Sequence, residues 1–164
     1  MPKRDPGGNE HVGLLIAAAR RRIKQAVGSR VRRYDLTTQQ FWVLVAIYEH
    51  PGFSLGELAA HTRIDTPTAS RVVFTLMNRK LVEVRNDAAD RRRARLHLRP
   101  AATPLAKELH ALATAVRAAL VRDLSAPEQA ALRVSLRKII ANMDRLQDGD
   151  AIGIPVGARH FQHR

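Results

Sequence analysis

The sequence predicts a mainly α-helical chain with one small β-hairpin, and three observations predict it. Apolar residues recur at three- and four-residue spacing along most of the chain. Capping boxes, in which a Ser or Thr and a Glu or Gln three residues on satisfy each other's backbone N–H groups, mark helix starts at Thr37–Gln40, Ser54–Glu57 and Ser125–Glu128. Only between Leu81 and Arg99 does the apolar period fall to two, the spacing of a half-buried strand.

Taken in order, Val12, Leu15, Ile16, Ala19, Ile23, Ala26, Val27, Val31 and Tyr34 predict one amphipathic helix over residues 10–34, with Arg20, Arg21, Arg22, Lys24, Arg30, Arg32 and Arg33 on its other face. Thr37 and Gln40 open a second helix carrying Phe41, Leu44, Val45 and Tyr48, which His50, Pro51 and Gly52 end. Ser54 and Glu57 open a short third helix through Leu55, Leu58 and Ala59. After a turn from Thr62 to Asp65, Thr66 is expected to cap a fourth helix, with Pro67 at the first position, where its missing N–H costs nothing. Ala69, Val72, Val73, Leu76 and Met77 form its inner stripe, while Thr68, Arg71, Thr75, Asn78 and Arg79 face outward. Leu81, Val82 and Val84 then predict a strand, Asn86 to Asp90 a turn, and Arg95 to Arg99 a return strand, apolar inward and polar outward. Thr103, followed by Pro104, is expected to cap a helix through Leu105, Leu109, Leu112, Val116 and Leu120, and Ser125 opens a last one with Leu132, Leu136, Ile139, Ile140, Met143 and Leu146 inward. Residues 1–9 and 148–164, crowded with Gly and Pro, are expected to be flexible termini.

Composition narrows the function. The 164 residues hold 28 Lys and Arg against 15 Asp and Glu, a net charge of +13 that suits a polyanionic partner. With no cysteine, thiol catalysis, thiol redox sensing, disulfides and thiolate metal sites are all excluded, and a reducing compartment is the natural one. The longest apolar runs, Gly13 to Ala19 and Phe41 to Tyr48, fall short of the roughly 20 residues a bilayer requires. Met1 to Gly8 carry no apolar signal segment, so a cytoplasmic protein without membrane contact is expected. An enzyme would need a convergent constellation, and the sequence has no Gly-rich phosphate loop, paired-histidine metal motif or nucleophile elbow. Asp87 and Asp90 suit a turn, and His160 and His163 lack further ligands near them in sequence. No catalytic residue, metal or cofactor is expected.

A short helix, a tight turn, a polar-faced helix and a hairpin is the order of a winged helix-turn-helix. A helix about 10–12 Å across fits the major groove, where its N-terminal half and positive dipole end face bases and phosphates. Thr66, Thr68, Ser70 and Arg71 occupy that half, with Thr75 further along. Arg91, Arg92 and Arg93 stand at or just after the hairpin turn, where adjacent cations repel one another unless an anion is near. Residues 66–99 hold nine Lys and Arg against Glu83, Asp87 and Asp90. Charge alone also fits a non-specific nucleic-acid packaging protein, but Thr, Ser and Asn beside Arg on one capped helix are suited to reading bases.

From Leu36 through Leu98 the chain resembles the multiple antibiotic resistance regulator (MarR) family of bacterial transcription factors. The matching pieces are Leu36 to Gln40, Leu58-Ala59, Thr68 to Val73, Leu81 to Arg85, and Asp87 to Arg92 leading into Leu96 to Leu98. The resemblance implies a winged helix-turn-helix lobe over residues 36–100, with dimerisation helices at 10–34 and 101–147. It implies a homodimer bound to a palindromic operator in double-stranded DNA, repression being the commoner outcome. In such proteins the fourth helix reads the major groove, the arginine matching Arg92 enters the minor groove, and the aspartate matching Asp90 orients it. Members commonly respond to small aromatic or anionic effectors held between the dimerisation helices and the lobe; Phe41 and Trp42, with Arg20 as anion partner, are the candidates here. Two departures stand out: Lys80 where the family usually has Gly before the first wing strand, and Arg99 where it often has Thr. A left-handed residue without Gly is costly, so Lys80 bears on how the fourth helix ends. Dimerisation also follows from packing, because a winged lobe of about 65 residues cannot by itself cover three further long apolar stripes.

Overall fold

The computed structural model describes residues 10–87, 90 and 93–147. The expected flexible termini and the wing-tip Arg91 and Arg92 lie outside the described residues. Residues up to Ala119 form one unit and those from Leu120 a second.

Helix α1, Val12–Val31, starts where the His11 ring accepts the Gly13 N–H. It ends earlier than its apolar pattern predicts. Arg32–Tyr34 tighten into a 3-10 turn, and Asp35 takes a left-handed φ of 54° that turns the chain away. Helix α2, Thr38–Glu49, and helix α3, Leu55–Thr62, both open on the capping boxes read from the sequence. Thr37 N–H donates to Gln40 Oε1 at 2.9 Å and Gln40 N–H to Thr37 Oγ1 at 3.2 Å. Ser54 and Glu57 repeat the exchange at 2.7 and 3.2 Å.

Helix α4, Thr66–Asn78, is capped one residue earlier than expected, by Asp65 rather than Thr66, which puts Pro67 at the second helical position. From an extended Asp65 backbone its carboxylate reaches the Thr68 N–H at 2.7 Å. At its other end Lys80 takes φ 57°, the left-handed conformation in which the family usually has Gly. Strands β1, Val82–Asn86, and β2, Ala94–Leu98, pair antiparallel with Val82 opposite Leu98 and Val84 opposite Leu96. The loop between α2 and α3 joins β2's free edge, Gly52 N–H donating to Leu96 O and Leu96 N–H to Phe53 O. Val84, expected inward, is 43% exposed although Leu96 opposite it is buried, the α2–α3 loop lying along β2 and not along β1. A 3-10 turn, Pro100–Ala102, runs straight into helix α5, Thr103–Leu120, so Thr103 is helical and not a cap.

The core is a single cluster in which Val27 and Val31 of α1, Phe41, Leu44 and Ile47 of α2, Leu58, Leu76, Val82 and Leu109 are fully buried. Leu105, Leu112 and Val116 pack against it, so most of the α5 stripe is used within the chain, whereas Leu120 is exposed. Val12, Leu14 and Leu15 in the first half of α1 are exposed as well. In the second unit, helix α6, Ala126–Gln147, opens on the Ser125–Glu128 box. Leu132, Leu136, Ile140 and Met143 are exposed along it.

Lys80→Gly is expected to stabilise the first unit by about 1 kcal/mol. That is the left-handed penalty of roughly 1–2 kcal/mol less glycine's entropic cost of roughly 0.5–1. Thermal unfolding should show a raised midpoint; a lowered one would mean that the lysine side chain contributes more at this position than its backbone strains.

Candidate nucleic-acid interface

The outward face of α4 follows from what its inner face buries. Ala69, Val73 and Leu76 are buried and Val72 packs beside them. Met77, expected inward, lies at the edge of the stripe and is exposed. Thr66, Ser70, Arg71, Phe74, Thr75 and Asn78 are exposed, and Thr68 is half-buried.

These side chains are not equally free. Thr68 Oγ1 donates to Asp65 Oδ2 at 2.8 Å, and Arg71 Nη2 lies 3.4 Å from the same hydroxyl. Thr75 Oγ1 donates back to Arg71 O at 2.9 Å. Thr66, Ser70 and Asn78 are exposed with no such side-chain hydrogen bond, and the Arg71 guanidinium is held only by its one long contact to Thr68. Arg79, expected outward, instead turns back to the 3-10 turn that follows α1: its guanidinium donates to the Tyr34 and Asp35 carbonyls. The turn after the long first helix is thus tied to the end of α4.

The hairpin is anchored close to its turn. Arg95 pairs with Asp87 at 2.8 Å and with Glu57 of α3 at 3.1 Å, and donates to Gly52 O at 3.3 Å. Strand alternation alone predicts Arg95 as a polar outward residue and misses this role. At the turn, Arg93 is exposed and its Nε stands 3.3 Å from Asp90 Oδ2. Arg93 N–H also donates to Asp90 O.

A second feature lies away from α4. A cavity of about 270 Å³ is lined by Trp42 and Ala46 of α2, His61 and Thr62 of α3, and Arg117 of α5. Trp42 lines it, while Phe41 is fully buried in the core and Arg20 is exposed on α1, neither among its lining residues. Sequence reading missed Arg117, whose guanidinium sits 5.7 Å from the Trp42 ring centroid and grips both carboxylate oxygens of Glu49. Arg117, first of all, holds the Glu49 carboxyl below its usual pKa, and His110, 3.3 Å from the same carboxylate, adds to this. His50 stacks on Phe53 at 4.7 Å and meets His61 edge-on, so histidines scattered in sequence gather at one end of α2. Glu49, His50 and His61 stand close enough together to hold a metal ion. With Glu49 already neutralised by a bidentate guanidinium, however, an entering cation would first have to displace Arg117.

The half-buried pair of helices, the exposed polar face of α4 and the anchored hairpin define a winged helix-turn-helix DNA-binding regulator. The comparisons agree. Residues 34–93 match the model of the MarR family. The transcriptional repressor NicR of Pseudomonas putida is 30% identical over 131 residues, which cover 80% of this chain and 83% of NicR. The structure of Bordetella bronchiseptica BpsR, whose DNA binding is regulated by 6-hydroxynicotinic acid, is 32% identical with a TM-score of 0.65, covering 79% of this chain and 98% of that one. The S. aureus MepR–DNA complex shares the fold at a TM-score of 0.72 and 22% identity, covering 81% and 96%. The chain belongs to the MarR family and is a DNA-binding transcription regulator.

The α4 cap gives a pH-dependent test. The Thr68 N–H, followed by its hydroxyl, holds the Asp65 carboxyl below its ordinary pKa. A depressed folded pKa contributes stability that is complete above the unfolded value and lost as pH falls through the folded one. Asp65→Ala should lower the thermal midpoint at neutral pH, and its deficit against wild type should close as pH drops below the ordinary carboxylate range. A deficit constant down to strongly acid pH would show that the charge of the cap contributes nothing.

Proposed function

We propose that this chain acts as a homodimeric repressor that reads a palindromic operator and is released by a small aromatic acid. The observation that carries the DNA-reading part is α4, whose inner face is fixed in the core while Ser70, Arg71, Thr75 and Asn78 stand exposed together. Thr66 and Thr68 sit at the positive end of the helix, suited to phosphate contact. Arg91, Arg92 and Arg93 serve the wing, with Arg92 entering the minor groove, and Asp90 holds the turn that presents them. Dimerisation uses the residues that one copy leaves uncovered. The exposed leucines of early α1 and the exposed stripe of α6 are what a second copy would bury, holding two α4 helices about 34 Å apart, one turn of DNA.

Release by a ligand rests on the cavity beside Trp42. Its volume of about 270 Å³ is near the lower end of ligand sites and suits a single-ring molecule. BpsR's regulation by 6-hydroxynicotinic acid supplies the chemical class, an aromatic carboxylate. Such a carboxylate competes with Glu49 for Arg117 while its ring lies against Trp42. Exchanging partners there loosens α5 from α2. DNA and effector then favour different helix spacings and oppose each other, by a coupling of about 1–3 kcal/mol.

Titration at about 150 mM salt against a palindrome from the protein's own promoter and a scrambled duplex tests both parts. Specific sites gain about 10³ or more over scrambled ones, and Arg71→Ala should cost about 1–3 kcal/mol on the operator only. Affinities within about tenfold of each other would favour the architectural nucleic-acid-binding reading instead. Added 6-hydroxynicotinic acid should weaken operator binding by wild type and leave Arg117→Gln unmoved. Equal responses from the two proteins would remove this cavity from the mechanism while leaving DNA reading intact.

A further inference from the structure

Phe74 is a large apolar side chain that the core leaves outside. It sits at the middle of the outward face of α4 and is 64% exposed, whereas Phe41 is fully buried and Phe53 packs against the core. At about 100° per residue, its neighbours are Ser70 and Arg71 one turn before it and Met77 and Asn78 one turn after it, Met77 at the edge of the buried stripe. A helix that docks on another protein repeats apolar residues at three- and four-residue spacing along one stripe. Here the corresponding positions are Pro67, Ser70, Arg71, Met77 and Asn78; Met77 is 37% exposed at the edge of the buried stripe, so Phe74 is the one large apolar group that stands fully outward, with Ser70, Arg71 and Asn78 beside it. The major groove presents the matching pattern: donors and acceptors on every base pair, and a single apolar feature, the 5-methyl group of thymine.

We propose that Phe74 is a specificity-determining residue that contacts a thymine methyl group in each half-site. The inference rests on the reading of α4 as the major-groove helix. It goes beyond it by adding to hydrogen-bond readout at Ser70 and Arg71 an apolar contact that only T·A pairs can satisfy. Its neighbours then fix the position of that thymine, next to the bases or phosphates that Ser70 and Arg71 touch. Because Phe74 is exposed, its removal takes nothing from the core.

The test uses the full-length protein and the tightest duplex that wild type selects from a randomised pool, with each thymine replaced in turn by deoxyuridine, which lacks only the methyl. One thymine per half-site should stand out: its replacement in both half-sites should weaken wild type by about tenfold, on the scale of one buried methyl per half-site. Phe74→Ala, with an unchanged thermal midpoint, should bind the thymine and deoxyuridine duplexes equally well. Phe74→Leu, which keeps an apolar side chain, should retain part of the discrimination. If wild type binds the selected duplex but no thymine is sensitive to deoxyuridine, or if Phe74→Ala keeps the full sensitivity, the assignment is wrong. If no duplex is enriched at all, the DNA reading itself fails.

Discussion

Everything outside the core depends on how α4 is rotated about its own axis. Ala69, Val73 and Leu76 are buried in the cluster that also takes Leu58 of α3 and Phe41, Leu44 and Ile47 of α2. A slip of one residue would turn the helix by about 100° and carry Ser70 and Arg71 off the outward face. Burying even one of them unpaired would cost more than the contacts it forms, so the apolar inner stripe chooses the reading face. The cap at Asp65 and the left-handed Lys80 fix the two ends of the same helix.

Polar ties then connect this helix to its surroundings without entering the core, where no buried polar or charged residue occurs among the described residues. Arg95 joins the hairpin to the start of α3 and Arg79 joins α4 to the turn after α1. Glu49 and Arg117 join α2 to α5. All three are partly exposed ion pairs or hydrogen bonds, individually weak in water. Their value here is geometric: each joins elements that are distant in sequence.

Much of this was legible from the residues in order. Capping boxes named three helix starts because they are local, requiring only residues three apart. The hairpin followed from the change of period at Leu81. The errors have equally local causes. Asp65 and Thr66 both make good caps, and choosing between them depends on backbone angles that one sequence does not state. The apolar pattern ran through Arg32 to Tyr34 although the helix gives way to a tighter turn there, since a 3-10 turn keeps nearly the same spacing. Arg79, Arg95 and Arg117 were unreadable for a different reason. Their partners Tyr34, Glu57 and Glu49 are distant in sequence, and arginines on polar faces look alike until the fold brings their acceptors to them. Phe74 broke the polar pattern of its helix face in plain view, yet it fits neither the inner stripe nor a hydrogen-bonding role.

Whether α4 of each subunit lies in a major groove with its fixed face toward the bases is read most directly by dimethyl sulfate probing of the bound operator, which methylates guanine N7 in the major groove and adenine N3 in the minor groove. Guanine N7 protection is expected in two clusters about one DNA turn apart, with adenine N3 protection outside them under the wings. Guanine N7 reactivity left unchanged throughout a tightly bound operator would place the protein elsewhere on the duplex and contradict major-groove reading by α4.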